Sequence, residues 1–149
     1  MVFKFQKATL SDRSYLLELR KSTMVKHLEN SGQYLSEREH DIRLDDEYDC
    51  SHLAYFEGAL IGTLKYKSTD TNIEIMQLQI APEHQNKGFG KGIIEQIQDR
   101  AGTKSVSLTV LKDNPALKLY LRLGFKIVGE DFYEYHMVSK TKYQGKYKS

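Results

Sequence analysis

Gln85, Asn86, Lys87, Gly88, Phe89 and Gly90 are the residues of this chain with the clearest chemical potential. They follow an apolar, alternating run closed by a proline, residues 73–82, and they open a run with helical spacing, residues 91–100. Glycines at a strand-to-helix junction let the backbone turn tightly and present bare N–H groups at a helix N-terminus, a place that binds phosphate or pyrophosphate. Counting excludes two nucleotide patterns. A P-loop needs a glycine, four residues, then Gly-Lys-Ser/Thr, but Gly90 and Lys91 are followed by Gly92, and Gln85 stands where the first glycine belongs. A dinucleotide fingerprint needs glycines at the first, third and sixth positions, and the sixth residue from Gly88 is Ile93.

The elements that must hold this loop follow from period and punctuation. Residues 3–8 alternate as a short strand. Thr9 and Asp12 have capping-box-like spacing and start a helix near Leu10 that runs on through Met24 and Leu28. Ser36 caps a second helix, residues 37–48, with Glu37 and Glu39 in its first turn. Residues 52–56 and 59–67 flank the hairpin signal Glu57-Gly58, and residues 73–80 form the next strand. A helix over residues 88–101 carries Phe89, Ile93, Ile94 and Ile97 at core spacing and stops at Gly102. Residues 105–111 are again a strand. Asn114 and Pro115 read as N-cap and first position of a helix that ends at Gly124, and residues 125–129 and 132–138 close the fold as paired strands. This order predicts one α/β (α+β) domain over residues 1–139. Its central mixed, mostly antiparallel twisted sheet has about seven strands, flanked by about four helices. Residues 140–149 form a basic C-terminal tail.

Composition narrows the partners. The chain has 149 residues, 40% of them apolar, and a net charge of +2, which argues against disorder and gives no reason for nucleic-acid binding. The four lysines of the tail lack a base-stacking pattern. Cys50 is the one cysteine, so no intramolecular disulfide forms, and a reducing compartment fits. No stretch nears the ~18 apolar residues of a membrane span, and residues 1–7 are too short and polar for a signal peptide. The expectation is a soluble, cytoplasmic protein that binds neither membrane nor nucleic acid. His27, His40, His52, His84 and His136 show no metal-ligand spacing, so no metal is expected.

The loop pattern of glutamine, two residues, glycine, one residue, glycine resembles the pyrophosphate-binding signature of the GNAT superfamily of N-acetyltransferases. The segment Asn114-Pro115-Ala116-Leu117-Lys118-Leu119-Tyr120-Leu121-Arg122-Leu123-Gly124-Phe125 resembles that superfamily's second signature. The two occur in the right order and together span residues 73–125. The resemblance implies acetyl-CoA as the donor, its pyrophosphate held by the backbone of Gln85, Asn86, Lys87, Gly88, Phe89, Gly90 and Lys91. Lys87 and Lys91 would add charge there. It implies that strand 73–80 splays from the next strand, so that backbone groups of Leu78 and Ile80 pair with the pantetheine arm as an added strand would. An N–H near Leu78 would face the thioester oxygen, and Asn114 would touch the pantetheine.

The implied activity is transfer of an acetyl group to a primary amine of a small molecule or peptide, by direct attack in a ternary complex. The alternative is a non-catalytic CoA- or acyl-CoA-binding sensor or interaction module. A lysine-like amine has a pKa of about 10.4, so freeing its lone pair at pH 7 costs roughly 4.6 kcal/mol, and some group must accept the proton. Glu74, eleven residues before Gln85, matches the catalytic glutamate of the histone-acetylating branch. A carboxylate of ordinary pKa about 4.3 would need burial or a relaying water for that role. Strand alternation puts Gln77 and Gln79 on the opposite face from Glu74. Tyr120 matches the tyrosine that the superfamily places beside the departing sulfur. The acceptor is less defined. Residues 37–49 carry seven acids and two arginines, a local charge of −5, which reads either as a field attracting a cationic amine or as a solvated helix face. Tyr34, Tyr48, Tyr133 and Tyr135 read either as lining of an acceptor pocket or as sheet packing. A homodimer is left open.

Overall fold

The period-two runs become strands β1 (Phe3–Lys7), β2 (Ser51–Phe56), β3 (Ala59–Ser68), β4 (Asn72–Ile80), β5 (Ser105–Leu111), β6 (Lys126–Glu130) and β7 (Glu134–Ser139). The period-3.6 runs become helices α1 (Arg13–Asn30), α2 (Glu37–Asp45), α3 (Phe89–Arg100) and α4 (Ala116–Arg122). They belong to a computed structural model that describes residues 1–140. The basic tail foreseen at 140–149 therefore lies outside the described residues, apart from Lys140. All seven strands join one sheet in the order β1-β2-β3-β4-β5-β7-β6. Only β4 and β5 run parallel, because α3 connects them; every other pair is antiparallel.

Apolar side chains leave the sheet on both faces. On one face Phe3, Ile61, Leu64 and Ile75 pack with Ile93, Ile94 and Ile97 of α3. On the other, Ala8 and Leu53 meet Leu16 of α1 and Leu44 of α2. A buried amide knits the first layer: Gln96 accepts the Phe3 N–H at 2.7 Å and donates to the Phe3 carbonyl at 2.9 Å.

Two helix boundaries differ from the sequence reading. The first helix opens as a short 3-10 turn, Leu10–Asp12, with the Thr9 N–H donating to Asp12 Oδ2 at 2.9 Å, and α1 then runs unbroken to Asn30. The second starts at the Ser36–Glu39 capping box, as read, but stops at Asp45 rather than residue 48. There the chain turns extended at Asp46 and left-handed at Glu47, φ 50°. The ammonium of Lys65, on β3, donates to the carbonyls of Arg43, Leu44 and Asp46 and so caps the end of α2. The acidic segment is also less free than its composition suggests. Arg13 bridges Asp41 and Asp45, Lys21 meets Glu37, and Lys67 meets Glu47, so four of its seven acids have cationic partners on α1 or β3.

The feature that shapes the site lies in β4. Lys65 faces Gln77 and Tyr66 faces Ile75, which leaves Met76 as an extra residue without a partner on β3. Such a bulge reverses the facing of one half of a strand relative to the other. Opposite partners share a face, so Glu74, Gln77 and Gln79 all lie on the side of Lys67, Lys65 and Thr63. This corrects the alternation argument that set the two glutamines against Glu74.

Two expectations about stability follow. Gly62 is buried opposite Ile80, and a Cβ there would sit 2.1 Å from the Gln79 carbonyl oxygen. Gly62→Ala should therefore push β3 off β4 and destabilise the fold by about 2 kcal/mol or more in urea denaturation; a change within ~0.5 kcal/mol would mean the strands yield freely. His40 is buried on α2 and accepts the Arg20 Nε–H at Nδ1, 3.3 Å away. Burial first, and the Arg20 charge second, hold its pKa below the ordinary value. The unfolded chain then takes up the proton first. Stability should be intact above about pH 6.5 and fall as pH is lowered through that value. His52, whose pKa burial also lowers, acts in the same sense. Denaturation at pH 7.5 and 5.5 should show a smaller acid loss in His40→Gln than in the parent chain.

Candidate active site

β4 and β5 are hydrogen-bonded over only four rungs, from Asn72–Ser105 to Ile75–Leu108. Beyond the Met76 bulge they part, although β4 continues to Ile80 and β5 to Leu111. The parting opens a cleft of about 430 Å³ through the sheet. Glu74, Met76, Gln77, Leu78 and Gln79 of β4 line it, as do Thr109 and Leu111 of β5. Arg20, Arg43 and Lys65 close it on the α1–α2 side; Asn114 and Tyr120 enter from α4 and the turn before it.

Two short motifs fix the groups around this cleft. At the end of β4 the Gln85 side chain donates from Nε2 to the Ile80 carbonyl at 3.0 Å, tying the following loop back to the strand. Asn86 and Gly88 are left-handed, φ 63° and 80°, and α3 begins at Phe89. The first turn of a helix leaves N–H groups without intrahelical partners, and those of Phe89, Gly90 and Lys91 occupy that turn. A Cβ built on Gly88 or Gly90 would meet nothing within 4 Å, so the surface over the loop is open to a ligand. Gln85, Asn86, Lys87 and Gly88 are exposed.

The second motif positions Tyr120. Asn114 Oδ1 accepts the Ala116 N–H at 2.9 Å and caps α4. At the other end Gly124 is left-handed, φ 94°; its N–H reaches the Leu121 carbonyl at 3.2 Å, and the Phe125 N–H reaches the Tyr120 carbonyl at 3.0 Å. This is a Schellman motif, and its accompanying apolar contact is the edge-on packing of the Phe125 and Tyr120 rings, 5.9 Å between centroids. Burial raises the Tyr120 pKa, so the phenol is protonated at neutral pH.

The cleft thus brings together Glu74, Leu78, Asn114 and Tyr120. Glu74 is exposed to solvent. Ile80 and the loop from Gln85 to Lys91 do not line the cleft; they lie just past the end of its β4 wall. Tyr34, Tyr48, Tyr133 and Tyr135 are not among the lining residues either. Tyr34 is exposed, Tyr48 donates to the Thr9 carbonyl at 2.6 Å, and Tyr135 sits under Lys112. Sequence reasoning missed Arg20, Lys65 and Glu134, which do line it. No local pattern marks them: each sits on a different element, and only the packing of α1, β3 and β7 brings them together. Burial, followed by the like charge of Arg43, pushes the Arg20 pKa down to about 10. Among the described residues no group of three or more His, Cys, Asp or Glu is arranged to hold a metal ion, and no helix is long and apolar enough to cross a membrane.

Comparison with known proteins agrees with this geometry. The family model described as Acetyltransferase (GNAT) family matches residues 14–125. No curated protein matches the chain significantly. The PaiA N-acetyltransferase of Thermoplasma acidophilum, solved with coenzyme A, superposes with a TM-score of 0.69 at 20% identity, over 94% of this chain and 99% of that one. Spermidine N-acetyltransferase of Vibrio cholerae, solved with CoA and spermine, gives 0.66 at 21% identity, over 93% and 95%. N-acetylglutamate synthase of Neisseria gonorrhoeae, solved with coenzyme A and N-acetylglutamate, gives 0.63 at 17% identity, over 94% of this chain and 35% of that one. At these identities the structures speak for the fold. The family match covers well over half of the chain, and with it the protein belongs to the GNAT family of acetyl-CoA-dependent acetyltransferases.

Proposed function

We propose that the protein is an N-acetyltransferase that moves the acetyl group of acetyl-CoA directly onto a primary amine within a ternary complex. The observation that carries this reading is the convergence of Glu74 and Tyr120 on one cleft, at the point where β4 leaves β5. The residues present suit the donor. The freed edge of β4 around Leu78 and Ile80 offers backbone groups to an amide-rich pantetheine arm, with Asn114 beside it. The open loop over Gly88 and Gly90 offers N–H groups to a pyrophosphate, and Lys87 and Lys91 add positive charge. Bound acetyl-CoA supplies a thioester, and the remaining chemistry falls to the chain's own side chains.

The half-buried, protonated Tyr120 donates a hydrogen bond toward the departing sulfur. Complete transfer from an ordinary phenol to a thiolate near pKa 8.5 is uphill by roughly 2 kcal/mol, and the raised pKa of Tyr120 makes it steeper, so the hydrogen bond leads and the proton follows. Glu74 is open to solvent, which suits a carboxylate that takes the amine's proton through water. Gln77, on the same face, supplies a polar side chain but cannot act as a base.

Three measurements test this. Acetyl-CoA with a panel of amines should release free thiol; tight CoA binding without release from any amine would favour the non-catalytic module. Tyr120→Phe should lower kcat about 10²-fold while acetyl-CoA affinity stays within about threefold, and an unchanged kcat would remove the role given to Tyr120. Glu74→Gln should lower kcat/KM by about 10²-fold or more and change the shape of the pH–rate profile; an unaltered profile excludes Glu74 as base.

A further inference from the structure

The α1–α2 side of the cleft holds a buried guanidinium and a buried amide donor that meet no carboxylate. Arg20 is 2% exposed and lines the cleft. Its Nε donates to His40, yet no salt bridge among the described residues involves Arg20 or its neighbour Arg43. The charge acting on Arg20 is that of Arg43, of the same sign. Lys65, 5% exposed, stands behind them with its ammonium on the α2 carbonyls. Gln79 is also buried and lines the cleft. Its Oε1 accepts the Thr63 hydroxyl at 3.1 Å, and its Nε2 has no partner. A buried guanidinium that meets no carboxylate, and a buried amide donor with no acceptor, are costly arrangements unless a ligand completes them. The acids that line the same cleft, Asp46, Glu74 and Glu134, form no ion pair with either arginine.

We propose that Arg20, Arg43 and Gln79 form a carboxylate-binding subsite, so that the acetyl acceptor is an amino acid or a similar small amine carrying a carboxylate. This rests on the N-acetyltransferase reading of the same cleft. A carboxylate accepts at both oxygens and carries no proton to donate, which matches a set made only of donors. The position of Glu74 fits the other end of such a molecule. Gln79 faces Thr63 and Glu74 faces Lys67, so the two lie on one face, four residues of β3 or roughly 13 Å apart along the strand. An acceptor lying along this face would turn its ammonium toward Glu74 and its carboxylate toward the arginines. N-acetylation forms an amide C–N bond and breaks the thioester C–S bond; of the two protons the ammonium gives up, one leaves through Glu74 to water and one ends on the departing sulfur. A purely cationic amine would meet the arginines with like charge.

The test compares matched acceptors: amino acids, their carboxamides and the corresponding decarboxylated amines, each read by thiol release from acetyl-CoA. The amino acids should lead in kcat/KM by about tenfold or more, the worth of one charge-assisted hydrogen bond. Arg43 is exposed on α2, so Arg43→Met should fold; it should reduce that preference toward one, with the loss in KM rather than kcat, and Arg43→Lys should restore part of it. Calorimetric titration of the CoA-loaded protein with N-acetyl amino acids, against their amides, reads the subsite without turnover. Equal use of amides or decarboxylated amines would overturn the subsite while leaving the N-acetyltransferase reading intact, as would an Arg43→Met preference equal to the parent's. Failure of every amine to release thiol would overturn the enzymatic reading, and the calorimetric arm would still decide the subsite: tighter binding of the acid than of the amide supports it, and equal binding sinks it.

Discussion

Met76 has no partner on β3, and most of the functional architecture depends on that one unpaired residue. Up to Ile75, β4 is tied to strands on both sides. Past the bulge it stays with β3 but leaves β5, whose own partner beyond Leu108 is β7 alone. Main-chain groups in the middle of a sheet ordinarily have a strand on each side. Here they face a cleft, and a ligand with amide groups can take the place of the missing strand. The same bulge turns Glu74, Gln77 and Gln79 to one face, so the polar side chains of β4 share the side of Lys65 and Lys67 while Ile75, Leu78 and Ile80 pack toward α3.

The two glycine-containing motifs act on this opening mainly by holding other groups in place. Gln85 spends its amide on the Ile80 carbonyl, which holds the exposed loop at the end of the splayed strand. Gly124 and Phe125 close α4 through hydrogen bonds and a ring contact that leave Tyr120 little freedom. Asn114 does the same at the start of that helix. Motif residues of this kind look chemical because they recur beside a site. Their work in this chain is geometric: they hold the Tyr120 side chain at the cleft.

Charge is distributed in a way composition alone does not convey. The acidic stretch of α2 is consumed largely by Arg13, Lys21 and Lys67, and these pairs, being exposed, contribute little each. Their effect on the site is indirect: they hold α2 against α1, and that packing buries Arg20 and His40 beside the cleft. The cationic floor of the cleft and the acidic outer face of α2 therefore arise from the same helix pair.

The order of strands and helices, the cap at Ser36, the cap at Asn114 and the glycine loop were all legible in the sequence. Each depends on residues within a few positions of one another, where backbone sterics and local hydrogen bonds decide the outcome. Helix α2 ended early because its end is set by Lys65, some twenty residues away on β3. The facing of Gln77 and Gln79 was misread because a bulge is a mismatch between two strands, and one strand's alternation carries no record of it. The burial of Arg20, the unpartnered amide of Gln79 and the arrival of Glu134 at the same cleft likewise follow from long-range packing. Sequence alone determined the elements and the two glycine-containing motifs, because their physics is local. Tertiary structure decided which side chains face the cleft, because burial and charge pairing exist only between segments brought together by the fold.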